Sequence, residues 1–362
     1  MTNISMGTTD KEKRRVAMAD GLCMRAGVDR EDLAPGARDF AGFTLVEMAR
    51  ECLGMANQSM YGHSLEVVGR ALTTSDFPNI LANTANKALL EGYETANETW
   101  DVWCDVGSVS DFRDHTSNRV SETDDLDEVP EGREYKYGSQ ADAKETYKVV
   151  TYGKILAITR QAIINDDLGA ITNSAKAHGE AASRKIGDVA YAVLTSNAAM
   201  GDGIALFHSS HANLATAAAL AETSIAEMIK LMSLQKDING KRRLNIRPQY
   251  YIAPVALEGS GEVFFNSGQF AGANAAATRT NPYAGSRFTR VYEPRLDDNS
   301  ATAWYLAGPK GKTVKIFFLG GKREPYLEQR PGWYIDGLEF KVRIDAGAKA
   351  MDWRALVKNP GV

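Results

Sequence analysis

Two histidines three residues apart, in Phe207-His208-Ser209-Ser210-His211, make the most metal-like spacing in the chain. On a helix that spacing sets two imidazoles on one side, but a metal site also recruits a carboxylate or a third histidine. The nearest acids, Asp202 and Glu222, stand at no recognisable spacing, so a turn with hydrogen-bonded histidines is expected. Leu-Ala-Gly-Pro-Lys-Gly-Lys-Thr, residues 306–313, imitates the end of a phosphate loop. The motif needs glycine where Leu306 stands and a helix behind it, and Val-Lys-Ile-Phe-Phe-Leu reads as strand. A β-turn is predicted there. The glycines around Ser260 lack the spacing of a nucleophile elbow. The pairs Asp124/Asp125 and Asp166/Asp167 fall in predicted loops or caps, and paired carboxylates become an acid/base dyad only where surroundings split their pKa values. The basic run Lys241-Arg242-Arg243, with Arg247 beyond, has no interleaved aromatic on which a base would stack, and is read as a solvated turn. The reading is therefore of a protein that is not an enzyme, with no catalytic residue, no metal and no cofactor.

Composition bounds the rest. At 362 residues the chain exceeds the usual single domain, and two or three domains are expected. Hydrophobic residues at 44% and charged residues at 24% are ordinary for a globular protein. A net charge of −4 gives no whole-molecule attraction to nucleic acid. Cys23, Cys52 and Cys104 are odd in number and form no Cys-x-x-Cys, which suits a reducing compartment and speaks against a zinc site. The first residues carry cations with no apolar run behind them, and no window approaches the roughly 20 apolar residues of a membrane span.

Several elements can be placed from pattern alone. Residues 10–72 read as short helices with too few large apolar side chains for an independent core. Leu45, Met48, Ala49 and Leu53 share one face, and Gly54 is placed as the stop. A helix follows, capped at Ser75 or Asp76, with Phe77, Leu81, Ala85, Ala88 and Leu89 on one face and Gly92 at its end. The longest helix is predicted after Asp166 or Asp167, with Ile171, Ala175, His178, Ala182, Ile186, Val189 and Val193 in step, despite Gly179 and Gly187. Ser224 and Glu227 are read as a capping box, residues 268–286 as a mobile surface loop, and the remainder as dispersed strands. The sum is an α+β architecture.

Between two strand-like stretches lies Ser-Glu-Thr-Asp-Asp-Leu-Asp-Glu-Val-Pro-Glu-Gly-Arg-Glu-Tyr-Lys-Tyr-Gly, residues 121–138. Seven of its eighteen side chains are carboxylates, and its only aliphatic side chains are Leu126 and Val129. It reads as the tip of one long hairpin, with arms of about 15–20 residues reaching about 50–65 Å. An isolated ribbon of this kind is marginal, so it is expected to lie against another subunit.

A capped helix, a long charged hairpin, and a long helix leading into a strand-rich second half together resemble the major capsid protein of tailed phages, with the Hong Kong 97-like fold. Residues 45–55 and 69–94 and Leu206-Phe-His-Ser-Ser-His-Ala-Asn-Leu-Ala look like the prophage branch in which a prohead protease and the capsid protein share one reading frame. That resemblance implies a helical, scaffold-like extension over 1–75, an N-terminal arm over 76–105 and an extended loop over 106–160. It further implies a peripheral domain over 161–221 and 331–362, with a spine helix at 168–196, and an axial domain over 222–330. No protease segment precedes residue 1, which fits a mature or separately encoded shell subunit.

The implied function is a phage or prophage head protein that self-assembles through hexamers and pentamers into an icosahedral shell around double-stranded DNA. It would sit in the virion capsid, pass through the host cytoplasm during assembly, and meet scaffold, prohead protease and portal. Glu128, Glu131, Arg133 and Lys136 are the expected inter-subunit ion-pair residues; no covalent crosslink is predicted. The alternatives are an encapsulin-type bacterial shell, the prohead maturation protease, and a DNA-binding accessory protein.

Overall fold

The computed structural model describes residues 8–28, 33–120, 142–240, 242–271, 278–332 and 336–362. The chain forms two compact units. The first comprises Met1–Asn97, Thr151–Lys185 and Lys322–Asp345, the second Glu98–Val150, Ile186–Gly321 and Ala346–Val362.

In the first unit, the helices Thr8–Ala26, Leu45–Met55, Ser64–Thr73 and Asp76–Thr95 close around one apolar core. Thr44 and Glu47 form a reciprocal capping box that starts the second of these. Its residues Leu45, Met48, Ala49, Cys52 and Leu53 are all fully buried. The helix runs past Gly54 and ends where Asn57 takes a left-handed conformation (φ 55°). Residues 10–72 do not bury themselves alone: Phe77, Ile80, Leu81, Ile163 and Phe340 complete their core.

The helix Asp76–Thr95 buries the expected face, yet it does not stop at Gly92. A Cβ on Gly92 would overlap the Lys176 carbonyl, and one on Gly179 would overlap the Leu89 carbonyl. Both glycines mark the crossing of this helix with the long helix Leu168–Ser196, where the backbones touch. The long helix is started by Asp167, whose carboxylate accepts the Ala170 N–H at 3.0 Å. Asp166 does other work: it adopts φ 55° and accepts from Arg25 and the Leu45 N–H, both at 2.7 Å. Along the long helix Ile171, Ala175, Ala182 and Ile186 are buried as expected. Further on, the buried positions are Ala190, Tyr191 and Leu194, while Val189 and Val193 are half-buried.

In the second unit, one sheet has the order Leu356–Asn359, Trp304–Ala307, Tyr250–Ala253, Thr289–Tyr292. The helix Glu222–Ser233 supplies Ile225, Met228, Ile229 and Met232 to the same core, with Tyr251, Phe265 and Trp304. That helix begins two residues before Ser224, so the expected capping box is displaced. Ser224 accepts the Ala221 N–H at 2.9 Å, and Glu227 reaches Thr216 instead. The expected loop over 268–286 contains a short hairpin, Gln269–Ala271 with Thr278–Thr280. It is held by Asn281, whose side-chain amide donates to Phe264 and Ser267.

Within residues 106–160 the described strands fall into three pairings. Asp105–Val109 pairs in parallel with Val314–Leu319, and Val150–Thr159 pairs with Gly337–Ala350. Among the described residues, His115–Val120 and Asp142–Tyr147 pair with each other, from His115↔Tyr147 to Val120↔Asp142. The rest of the expected arms and their tip lie outside the described residues.

Candidate functional site

The motifs that resembled chemistry resolve into local structure. His208 accepts the Ser210 N–H at 3.1 Å and caps the turn Ser209–His211. His211 is buried, stacks 4.3 Å from the Trp353 ring, and turns its two ring nitrogens to the Leu206 carbonyl (3.1 Å) and to Asp202 (2.8 Å). The two imidazoles therefore do not converge. Burial opposes charge on Asp202, but the bonds from His211 and the Ile204 N–H hold its carboxyl below the usual range. Residues 308–313 form a turn, with Lys312 N–H on the Pro309 carbonyl. The Ser260 hydroxyl donates to the Leu257 carbonyl. Cys23, Cys52 and Cys104 are buried thiols, and burial pushes those of Cys52 and Cys104 up, away from thiolate reactivity. Among the described residues no three metal-ligating side chains cluster, and no helix is long and apolar enough to cross a membrane.

What the second unit builds with care is the root of the charged hairpin. Tyr147 stacks on Phe317 at 3.8 Å, and His115 stacks on Tyr147 at 5.8 Å. Val109 and Val149 pack beside that pair. Glu145, on the strand Asp142–Tyr147, is 3% exposed and accepts the Gly201 N–H with both oxygens at 3.0 Å. Gly201 can have no side chain, because a Cβ would overlap the Lys144 carbonyl. Lys349 stands 4.0 Å from the same carboxylate. A buried carboxylate is costly unless its oxygens are satisfied, so this contact ties the strand Asp142–Tyr147 to the turn at Gly201. Glu128, Glu131, Arg133 and Lys136 lie outside the described residues, as do Asp124 and Asp125.

A second polar cluster braces the same unit. Arg295 donates to Glu98 (2.9 Å), Asp188 (2.7 Å) and Glu293 (2.8 Å). Thr99 donates to Glu293 and bonds Tyr191, which also receives the Trp103 indole N–H at 3.2 Å. Burial pushes the Glu98 carboxyl up, against the pull of Arg295.

Sequence reading found neither Glu145 nor Arg295. Glu145 sits in an ordinary polar strand and Arg295 follows an unremarked Pro; their partners lie 56 and 197 residues away. The only local hint was a glycine at 201 with no helix or hairpin to end.

The chain matches the model of a family described as phage capsid protein over residues 143–359. No curated protein matches. Among solved structures, the capsid of a native GTA particle is 10% identical, covering 72% of this chain and 89% of that one with a TM-score of 0.51. The capsid of the empty GTA particle is 11% identical over the same shares, with a TM-score of 0.50.

Proposed function

The chain belongs to the phage capsid protein family, has the α+β, Hong Kong 97-like capsid fold and the function of a major capsid protein, and we propose that it closes an icosahedral shell through hexamers and pentamers. The observation that carries this reading is the family match over more than half the chain. In this proposal the shell encloses double-stranded DNA without reading its sequence, which suits a net charge of −4. It forms in the host cytoplasm with scaffold, protease and portal, and the chain performs no catalysis.

The rooted hairpin supports a mechanical division of labour. Each subunit offers a polar, charged arm that is soluble before assembly, and the Glu145–Gly201 and Tyr147–Phe317 contacts aim it. Many moderate contacts per subunit then hold a closed shell by avidity, without any very tight pair.

Electron microscopy of the purified full chain, before and after concentration at moderate salt and with co-expressed scaffold, tests the proposal. Closed shells, tubes or hexameric rosettes are the expected result. A chain that stays monomeric under all of these conditions overturns it.

A further inference from the structure

The helices ahead of Asp76–Thr95 are built into the first unit as one of its walls. Met18, Leu22, Leu45, Met48, Leu53 and Val68 are fully buried and share one apolar cluster with later elements. Those elements are the helix Asp76–Thr95 through Phe77 and Ile80, the long helix through Ile171, and the strand Gly337–Ala350 through Leu338 and Phe340. Polar contacts make the same connection. Arg25 and the Leu45 N–H both donate to Asp166, just ahead of the long helix, at 2.7 Å. Asp20 is buried and accepts from Lys87 of the following helix and, at 2.8 Å, from the Ala34 N–H. Arg15 stands 3.3 Å from Asp76.

A segment that serves only as a scaffold and is then shed must leave behind a surface that water can wet. Removing residues 8–72 would instead bare Phe77, Ile80, Leu81, Ile171, Leu338 and Phe340 together, an apolar patch of the kind a soluble chain does not leave uncovered. It would also strip Lys87 and Asp166 of the partners that reach them from this segment. The covalent connection is slight by contrast. Two residues, Thr74 and Ser75, join the helix Ser64–Thr73 to the helix Asp76–Thr95, and Ser75 is exposed. Resting on the capsid reading above, we infer that residues 8–72 stay in the finished shell as a permanent part of every subunit, held by packing and not by the covalent joint. A maturation protease that cuts at residues 73–75 therefore frees nothing.

The recognition sequence of a site-specific protease is inserted between Thr74 and Ser75 of the full chain, and in a second variant between Ser59 and Met60, inside the exposed stretch 57–63. Circular dichroism checks each uncut variant against the parent. After complete cleavage the two pieces are expected to leave a sizing column as one species at about 1 μM, which requires a Kd well below that concentration. Release of the smaller piece under native conditions overturns the inference, whether the larger one stays soluble or precipitates. Met48→Asp, which sets a charge in the shared cluster, should weaken the hold of the cut pieces by about tenfold or more. Undiminished retention in that variant shows that a different face holds them and overturns the inference as well. In DNA-filled heads, peptides of residues 16–25 and 39–50 should be as abundant by mass spectrometry as peptides of the long helix. Heads from which those peptides are missing overturn the inference even where the cut pieces bind in solution. Shells that fail to form under any condition, from pieces that hold together, count against the capsid reading alone.

Discussion

The helix crossing in the first unit and the polar braces of the second solve the same problem by opposite means. At the crossing, Gly92 and Gly179 let two backbones touch, and the main core of the same unit is apolar: Met18, Leu22, Leu45, Met48, Phe77 and Ile80 are fully buried. Stability there comes from area removed from water, about 25 cal/mol per Å², and is indifferent to pH. Around Arg295 and Glu145 the second unit instead buries charge, where each carboxylate is tolerated only because specific donors reach it. Apolar packing tolerates approximate partners, whereas a buried ion cluster specifies one geometry and fails when one member is lost.

The largest expected effect tests the apolar side. Phe77→Ala removes a fully buried ring from the first core and should cost about 3–5 kcal/mol, with faster hydrogen exchange concentrated in the helices of that unit. A loss below 1 kcal/mol in denaturant unfolding would show that the core is loosely packed and break the comparison. Next comes Arg295→Met, which leaves Glu98 and Glu293 buried without their cation. Arg295 is about one-quarter exposed, so the expected cost at pH 7 is reduced to about 2–3 kcal/mol. This loss depends on pH, and its sign can be worked out. The Glu98 carboxyl is already pushed up by burial, and removing Arg295 pushes it further. A carboxyl raised in the folded state favours folding below its unfolded pKa and loses that contribution as pH rises through the folded value. The variant's deficit should therefore shrink on going from pH 7 to about pH 4.5, as the Glu98 carboxyl takes up a proton. A deficit constant over that range would mean the guanidinium acts by packing alone.

The same contrast decides what was legible in the sequence. Apolar faces repeat with the period of their own helix, so Leu45, Met48 and Leu53, and Phe77, Leu81 and Ala85, could be assigned without any partner in view. The long helix was legible from end to end, although its buried stripe drifts from Val189 and Val193 to Ala190 and Leu194, as a 3.6-residue period drifts against steps of three and four. Gly92 was misread as a stop because a glycine required for close approach looks, in sequence, like one that ends a helix, whereas Gly54 stands one residue from the end at Met55. The partners of Asp105–Val109 and Val150–Thr159 were not legible, because strand character does not say which strand each will join. Arg295 with Glu98, and Glu145 with Gly201, have no local period at all. Their chemistry exists only once distant segments meet.

The smallest expected effect sharpens the polar side at a single turn. Asp202 accepts from His211 and from the Ile204 N–H, and its carboxyl is held below the usual range although burial opposes its charge. A carboxyl lowered in the folded state contributes stability above its unfolded pKa, near 3.9, and loses it as pH falls through the folded value. Asp202→Asn should abolish that acid-side loss and leave the rest of the molecule alone. The readout is hydrogen exchange at Met200 and Leu206, whose N–H groups bond Ile204 and Ala198 across the turn. In the parent protein their protection should weaken as pH drops below about 4, after correction for intrinsic exchange, and in the variant it should be lower at neutral pH and flat. Equal pH dependence in the two proteins would place the acid sensitivity of this turn elsewhere, and the buried His211 stacked on Trp353 would then be holding it by shape rather than by its carboxylate.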